Sequence, residues 1–537
     1  MSRVGQAPWV WLVLLIAGVG QATALAWPGT YVETGLARGQ ALGWLQLMCM
    51  AVAVAVITRS ANRRKATFNT WLFATAWLST SFAWLYVSMH DYGGLPSWAA
   101  AAAVLLLASA LALYYAAAGA VYWRWRDQNP VLAAVLFAAA WTLAELARGQ
   151  WLTGFPWGAI GYAHVESGDQ WFRWLGVYGV GAVAALISAA WVLSLLQRRY
   201  VSLVITTALA VLMSHWAPNL DRTQATGQLH VWLLQGNIEQ DQKFNANTGI
   251  QQALQWYPSE WRASLQSLNR PDLVVAPETA IPVLPQQIDE QWWQRVLEPL
   301  AKQGVASDGK RVHWMMGMPL GDATRGYTNS AWGITTNSAQ GEKPWMGDGD
   351  YRYDKHHLVP MGEFIPPFFR WFTEWMKIPL GSFNRGELVQ APWQINGQTV
   401  AAHICFEDVF GEEMAQTVAS TQATVLVNLS NLAWFGKTIA LEQHLNIARV
   451  RAMELGRPIV RATNTGATAH IDYQGQVLAS LPMQVRERLE VWVQGRSGLT
   501  PYVQWVGAVG LWPLWGLGCL VVAWSVWRRK KWGSLGS

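Results

Sequence analysis

The chain has 537 residues, of which 52% are hydrophobic, only 13% are charged and 36 are tryptophan. Soluble globular proteins carry about 25% charged residues, so this composition excludes an ordinary soluble protein and indicates one embedded in a membrane. The formal net charge of +6 comes mostly from short loops between apolar runs, so it does not indicate nucleic-acid binding.

Eight apolar runs are long enough to cross a bilayer, which takes about 20 residues. Residues 218–502 contain no such run, and short strand-like pieces alternate there with polar turns. We therefore predict a membrane domain of seven helices over 1–217, an α/β domain over 218–502, and a closing helix with a basic tail over 503–537. The predicted spans are 7–27, 41–58, 69–88, 98–123, 130–147, 175–196, 201–217 and 503–527.

Lysine and arginine in the short loops predict the orientation, because they concentrate on the cytoplasmic side. With a cytoplasmic N-terminus, thirteen fall inside and three, Arg38, Arg148 and Arg173, fall outside. The α/β domain is then expected in the periplasm. Cleavage of a signal peptide after "ALA" (24–26) is an alternative that leaves the remaining topology unchanged. The inside residues are Arg3, Arg59, Arg63, Arg64, Lys65, Arg124, Arg126, Arg198, Arg199, Arg528, Arg529, Lys530 and Lys531.

Cysteine usage singles out one residue. Cys49 and Cys519 lie in predicted spans, so Cys405 is the lone thiol of the α/β domain and has no partner for an internal disulfide. An unpaired cysteine in an oxidising compartment is either a buried inert residue or a nucleophile. The residue alone leaves both interpretations open.

Two further segments favour the nucleophile. Each places a polar side chain at the end of a predicted strand, which is where α/β folds carry their site residues. A carboxylate, an amine and a thiol together supply a base, a cation and a nucleophile. These candidates are Glu278 in "DLVVAPETAIP", Lys355 in "YDKHHLVPMGEFIP" and Cys405, which follows the predicted strand Thr399–Ile404 in "TVAAHICFED".

This trio resembles the Glu, Lys, Cys triad of the nitrilase (carbon–nitrogen hydrolase) superfamily, which implies an α-β-β-α sandwich. The surrounding eight-span frame resembles one branch of it, the bacterial apolipoprotein N-acyltransferases, over nearly the whole chain. Three more motifs carry the likeness, "TGFPWGAIGY" (153–162), "QGNI" (235–238) and "NLAWFGKTIALEQHLNIARVRAMELGRPIVRATNTG" (431–466).

The resemblance implies an activity and roles for the triad. A fatty acyl group would pass from a membrane phospholipid, through a Cys405 thioester, to the N-terminal amine of a diacylglyceryl-modified apolipoprotein. Glu278 would be the general base, and Lys355 would stabilise the developing negative charge. We expect no cofactor, a monomer, and a location in the bacterial inner membrane.

The resemblance also implies supporting residues and candidates for lipid binding. Glu363 and Glu407 are expected to support the triad, although a purely structural ion pair is an alternative for Glu363. Aromatic residues near the motifs are expected to contact lipid chains. These aromatic candidates are Phe155, Trp157, Phe244, Phe406 and Trp434.

Three positions depart from the family pattern. Phe244 stands where the family has tryptophan, Phe406 where it has tyrosine, and Leu432 where it has an acid. An indole, a hydroxyl and a carboxylate are therefore absent. These changes indicate either altered substrate preference or a divergent branch.

Other polar residues allow competing interpretations. His356, His357 and His403 suggest a metal site, but no further ligand falls at zinc-like spacing, so we predict none. Glu145 and Arg148 close the fifth predicted span, where ionisable residues indicate function or a helix-end ion pair.

Two segments of the α/β domain are assigned structural or membrane roles. The apolar spacing of 441–455 predicts a core-packing helix. The aromatic stretch 366–380, with Trp371 and Trp375, is too short to span. It is expected either to dip into the outer leaflet or to fold over the domain's own core.

Two other function classes use the same sequence features. A membrane-tethered amidase or nitrilase would have the same triad but release its acyl group to water, and the eight-span frame argues against it. A non-catalytic relative would be expected to lose a triad member, and all three are present.

Overall fold

The computed structural model describes residues 9–30, 35–215, 222–305, 309–340, 345, 349–365 and 383–533. The chain divides into two compact units. The first comprises Met1–Tyr86, Leu95–Leu220 and Val509–Ser537, and the second comprises Val87–Gly94 and Asp221–Ala508. The aromatic stretch 366–380, including Trp371 and Trp375, lies outside the described residues.

Apolar helices build the first unit. Helices α3 and α5 approach closely at Gly119, where an added Cβ would lie 2.0 Å from Thr70 Oγ1, as is typical of small residues between membrane helices. The helices are α1 (Trp9–Thr23), α2 (Gly43–Arg59), α3 (Arg63–Ser81), α4 (Trp84–Val87), α5 (Ser97–Trp125), α6 (Pro130–Gln150), α7 (Asp169–Leu196) and α8 (Tyr200–His215), with the C-terminal α16 (Trp512–Gly533).

The number of membrane spans is only partly supported. Within the described part of the chain, α5, α6 and α7 are long and apolar enough to cross a bilayer, and the count rises to five if each of two bent helix pairs is one span. Helices α1, α2 and α8 are apolar but shorter. A helical, apolar N-terminal region is therefore present, and the count of eight spans stays a prediction.

Two six-stranded sheets form the second unit. Their orders are β12-β1-β2-β3-β4-β5 and β11-β10-β9-β8-β7-β6. The strands are β1 (Gln224–Gln235), β2 (Leu273–Val275), β3 (His313–Asp322), β4 (Gly326–Ile334), β5 (Tyr351–Asp354), β6 (Trp393–Ile395), β7 (Gln398–Ile404), β8 (Val425–Ser430), β9 (Ile459–Thr463), β10 (Ala469–Ile471), β11 (Val477–Ser480) and β12 (Glu487–Ser497).

Helices connect these strands and cover the sheets. The predicted core helix 441–455 is confirmed as α14, with Leu441, Ala448, Ala452 and Leu455 buried and Leu445 partly buried. The helices are α9 (Gln240–Lys243), α10 (Gly249–Gln266), α11 (Glu290–Gln303), α12 (Thr336–Ala339), α13 (Gly411–Thr421), α14 (Ala440–Leu455) and α15 (Pro501–Val509).

Alternation along β1 shows how the layers stack. Val231 packs with Val427 of β8 in the apolar layer between the two sheets. The next residue, Trp232, points the other way and packs with Trp261 of α10 and Trp293 of α11. Successive side chains of a strand face opposite sides, so the first sheet has the second sheet on one face and helices on the other. The predicted two-sheet α/β domain is confirmed.

Candidate active site

The three candidate residues follow three strands of the second unit. Glu278 comes shortly after β2, Lys355 directly after β5, and Cys405 directly after β7. The first two strands belong to one sheet and β7 to the other. The site is therefore built from the strand ends of both sheets.

The Glu278 carboxylate is buried and fully engaged. Its Oε1 accepts hydrogen bonds from Asn329 Nδ2 at 2.8 Å and Lys355 Nζ at 3.2 Å, and its Oε2 accepts one from the Asn431 backbone N–H at 2.9 Å. Burial raises the pKa of Glu278, but the Lys355 ammonium and these bonds outweigh it, so the pKa lies below its ordinary value. Glu278 is therefore ionised at neutral pH and can accept a proton.

Lys355 sits between two carboxylates. Its Nζ lies 3.2 Å from Glu278 Oε1 and 2.9 Å from Glu363 Oε1, and the side chain is 1% exposed. Burial lowers the pKa of Lys355, but the two carboxylates raise it by more, so it stays a cation. Glu363 Oε2 also accepts the Val359 backbone N–H at 2.8 Å. The structure thus pairs Glu363 with Lys355, a contact that fits both the predicted supporting role and the alternative of a structural ion pair.

Cys405 is buried and has a left-handed backbone with φ of 54°, a conformation uncommon outside glycine. Burial and the negative charge of Glu278 raise the pKa of its thiol, and Lys355 offsets this only in part. The backbone N–H of Asn431, which donates to Glu278 Oε2, also lowers the pKa of the thiol. The resting sulfur is therefore a protonated thiol that needs a base before it can attack.

Behind Cys405, a buried charged network holds its main chain. His444 of α14 bonds through Nε2 to the Cys405 carbonyl at 3.2 Å, and Arg461 lies 2.5 Å from His444 Nδ1. A guanidinium only donates, so Nδ1 accepts and the proton of this neutral imidazole is on Nε2. Arg461 also pairs with Asp408 at 2.7 Å, and Asp408 with His403 at 2.6 Å. Helix α14, predicted as scaffold, thus also contacts the Cys405 carbonyl.

Glu407 forms hydrogen bonds with residues at the ends of β5 and β7. Its Oε1 accepts the Tyr353 hydroxyl at 2.9 Å and the backbone N–H groups of His356 and His357 at 2.7 and 3.1 Å. Its Oε2 accepts the Ile404 N–H at 2.5 Å. Since these partners flank Lys355 and Cys405, Glu407 fixes the spacing of the cation and the thiol.

A chain of side-chain amides, which sequence reasoning missed, joins the "QGNI" turn to the site. Asn464 accepts the Ile238 N–H at 3.0 Å and donates to Asn431 Oδ1 at 3.1 Å. Asn431 Nδ2 in turn donates to Gln240 at 3.1 Å. Two motifs distant in sequence, "QGNI" and 431–466, are therefore joined through Asn431, whose backbone N–H donates to Glu278. In the sequence, only the occurrence of Asn431 and Asn464 in the motif 431–466 could have indicated these contacts.

The candidate metal histidines make other contacts. His356 Nδ1 lies 2.8 Å from the Gly386 carbonyl, and His357 Nδ1 lies 2.9 Å from Glu413. Among the described residues, no group of three or more His, Cys, Asp or Glu side chains is placed to hold a metal ion. His403 belongs to the network behind Cys405.

Three aromatic candidates lie in the second unit. The Phe406 ring is buried and lies 5.3 Å from Phe410, and Phe244 is partly buried directly after α9. The Trp434 carbonyl accepts the Ser88 hydroxyl at 2.7 Å, and its ring lies 6.1 Å from Tyr92. Their role in lipid binding stays a prediction.

The other two aromatic candidates lie in the first unit. Phe155 contacts Phe82 at 4.6 Å between ring centres, and the buried Trp157 contacts Trp84 at 5.0 Å. Arg148 Nη1 donates to the Trp157 carbonyl at 2.8 Å. These contacts stabilise the "GFPW" loop, and lipid binding by either ring stays a prediction.

Arg148 and its neighbour Glu145 are both buried. Arg148 Nε donates to the Tyr115 hydroxyl at 2.9 Å, and Glu145 Oε1 accepts the Ile160 N–H at 3.1 Å. Their hydrogen bonds go to another helix and to the backbone after α6. This arrangement favours the structural interpretation of the two residues over a functional one.

Two parts of the chain match known protein families. The family described as carbon-nitrogen hydrolase matches residues 233–494, a range that contains Glu278, Lys355 and Cys405. Residues 20–190 match the apolipoprotein N-acyltransferase N-terminal domain. The second unit is thus a carbon–nitrogen hydrolase domain, following an N-terminal region of a type found in acyltransferases.

Whole-length relatives define the family more closely. The apolipoprotein N-acyltransferase of Verminephrobacter eiseniae is 46% identical over 95% of this chain and 94% of its own. That of Ralstonia nicotianae is 41% identical over 91% and 90%. A solved carbon-nitrogen hydrolase from Helicobacter pylori G27 aligns with 54% of this chain and 94% of its own, at 16% identity and a TM-score of 0.35. The chain belongs to the apolipoprotein N-acyltransferase family.

Proposed function

We propose that this chain moves a fatty acyl group from a membrane phospholipid, through a Cys405 thioester, to the N-terminal amine of a diacylglyceryl-modified apolipoprotein. Membership of the family makes the chain an acyltransferase of lipoprotein biosynthesis. The observation that supports the chemical route is the ionised Glu278, hydrogen-bonded to Lys355 and electrostatically coupled to the Cys405 thiol. A weak nucleophile next to a base and a cation is typical of covalent catalysis.

In the first half-reaction, Glu278 takes the proton of the Cys405 thiol as the sulfur attacks the ester carbonyl of the phospholipid. Lys355 stabilises the tetrahedral oxyanion, because a preorganised cation costs no reorganisation as charge develops. The carbon–oxygen bond then breaks, and Glu278 gives its proton to the departing alkoxide. The products are a thioester on Cys405 and a lysophospholipid.

In the second half-reaction, the neutral amine of the apolipoprotein attacks the thioester carbonyl, and its proton passes to Glu278. The carbon–sulfur bond breaks, and the leaving thiolate recovers that proton. An amide forms and the resting site is restored. Because both steps use one site, the kinetics are ping-pong.

The proposal places the enzyme in the bacterial inner membrane as a monomer. Residues 1–217 and 503–537 form the membrane part, and residues 218–502 face the periplasm. The support for this orientation is the excess of lysine and arginine in the loops assigned to the cytoplasm. An acceptor apolipoprotein and a phospholipid would both reach the site from that side.

Mass spectrometry of the intact full chain in detergent tests the route. After incubation with phospholipid alone, we expect a fatty-acyl mass increment that Cys405→Ala abolishes and the matched control Cys519→Ala retains. A diacylated lipopeptide should then discharge the increment. Absence of any increment on active, folded protein contradicts the thioester route. Discharge by water at the same rate with and without lipopeptide indicates a hydrolase that releases its acyl group to water.

A further inference from the structure

Lys243 is a buried lysine beside the site that the proposed route leaves without a role. It ends the short helix α9, in "DQKFNAN", and is 2% exposed. In the described chain, the hydrogen bond of its Nζ goes to the backbone carbonyl of Glu278 at 3.2 Å. Lysine is almost never fully buried unless it is paired, so its position needs an explanation.

The charges of two triad groups act on this amine. These groups are Glu278, which follows β2, and Cys405, which follows β7. Lys355 forms an ion pair with Glu278, and Glu363 forms an ion pair with Lys355. Burial lowers the pKa of Lys243 to about 7, against the opposing effect of negative charge on Glu278 and Cys405. The amine therefore changes its charge near neutral pH.

The balance of charge in the site indicates what this amine does. Glu278 and Glu363 carry two negative charges, and Lys355 supplies one positive charge. The remaining negative charge passes from Glu278 to the sulfur when the thiol is deprotonated, and then to the oxyanion. A protonated Lys243 neutralises that charge at each stage.

We infer that Lys243 is a second cation of the site, a positioning residue that holds the Glu278 main chain and favours negative charge on Cys405 and the oxyanion. The inference rests on the proposed function. It assigns Lys243 to the acylation step, where negative charge first moves to the sulfur. Near-neutral titration makes its contribution dependent on pH.

The test compares three full-length variants by the single-turnover rate of Cys405 acylation on either side of pH 7. Lys243→Gln can keep a hydrogen bond to the Glu278 carbonyl but removes the charge. Lys243→Arg keeps the charge at all working pH values. The exposed Lys302, paired with Glu298 on the surface, supplies the matched control Lys302→Gln.

We expect the wild-type rate to fall as pH rises through about 7, since the cation is lost there. Lys243→Gln should be about a hundredfold slower at low pH and show no such fall. Lys243→Arg should recover much of the rate and keep it above pH 7. Lys302→Gln should match the wild type.

A Lys243→Gln enzyme with the wild-type rate and pH profile overturns the inference. A slow Lys243→Gln that retains the wild-type fall above pH 7 also overturns it, because another group then titrates. The decision depends on whether the acylation rate of Lys243→Gln falls as pH rises. It therefore holds even if Lys243→Arg folds poorly. Absence of acylation in the wild type itself counts against the proposed function instead.

Discussion

Each oxygen of the Glu278 carboxylate has a partner, and these partners decide its protonation. Burial by itself raises the pKa of this group, and Lys355, Asn329 and Lys243 together bring the pKa below its ordinary value. The partners instead keep it ionised while Cys405 stays a thiol. The resting site thus has a deprotonated carboxylate next to a protonated thiol, which are the protonation states that general-base catalysis requires.

At this scale we predict that Glu278→Gln slows acylation of Cys405 by about 10²- to 10⁴-fold, the usual contribution of general-base catalysis. The amide can still accept a hydrogen bond but cannot take the thiol proton. The rate is measured by the fatty-acyl mass increment in a single turnover. Glu298→Gln, at an exposed position, is the control, and an equal loss in both variants would contradict the assignment.

Sequence reasoning named Glu278, Lys355 and Cys405, which the structure places after three strands, but it did not single out Lys243 or Asn431. Glu278, Lys355 and Cys405 stand in motifs whose residue types imply their chemistry. Lys243 lies in a polar stretch that suggests a solvated surface, and only the fold shows that its side chain is buried. Asn431 acts through its backbone N–H, and side-chain identity does not reveal such a contact.

At the scale of elements, the turn after β7 combines a strained residue with a rigid support. The predicted strand Thr399–Ile404 is confirmed as β7, which begins one residue earlier. The left-handed Cys405 that follows could not be predicted, because cysteine has no special preference for that conformation. Strained residues persist where the surroundings over-determine them. Asp408, His444 and Arg461 provide those surroundings here.

We predict that Arg461→Met lowers the free energy of unfolding by about 3–5 kcal/mol, since it leaves the fully buried Asp408 without its cation. Urea unfolding of the solubilised chain, followed by tryptophan fluorescence, measures the change. Arg488→Met removes a partly exposed arginine paired with Glu260 and Glu490 and should cost only about 0–1 kcal/mol. Similar losses of unfolding free energy in both variants would show that the buried ion pair contributes no more to stability than the partly exposed one.

At the scale of the whole molecule, hydropathy located the apolar helices of the N-terminal region, and the count of eight spans stays a prediction. A window of apolar residues does not reveal where a helix bends, as it does in two helix pairs of the described residues. No sequence pattern indicates that Val87–Gly94 groups with the second unit. That segment is placed by tertiary contacts, including the bond from Ser88 to Trp434.

The predicted orientation can be tested with single cysteines introduced on either side of the membrane. In a Cys49→Ser, Cys519→Ser background, Leu268→Cys lies at a fully exposed position of the second unit. A membrane-impermeant thiol reagent should label it in cells whose outer membrane is permeabilised. Lys530→Cys, in the basic C-terminal segment, should react only after the inner membrane is opened. The opposite pattern would reverse the topology.

The buried, protonated sulfur of Cys405 bears on how this enzyme could be inhibited covalently. A small water-soluble alkylating agent meets a thiol with 8% exposure and little thiolate character, so it reacts slowly. Under the proposed route, a lipid-like acyl compound would instead present its carbonyl to the sulfur while Glu278 takes the thiol proton, and would so use the step that makes the sulfur reactive. Selective inactivators should therefore be dead-end acyl donors rather than general thiol reagents.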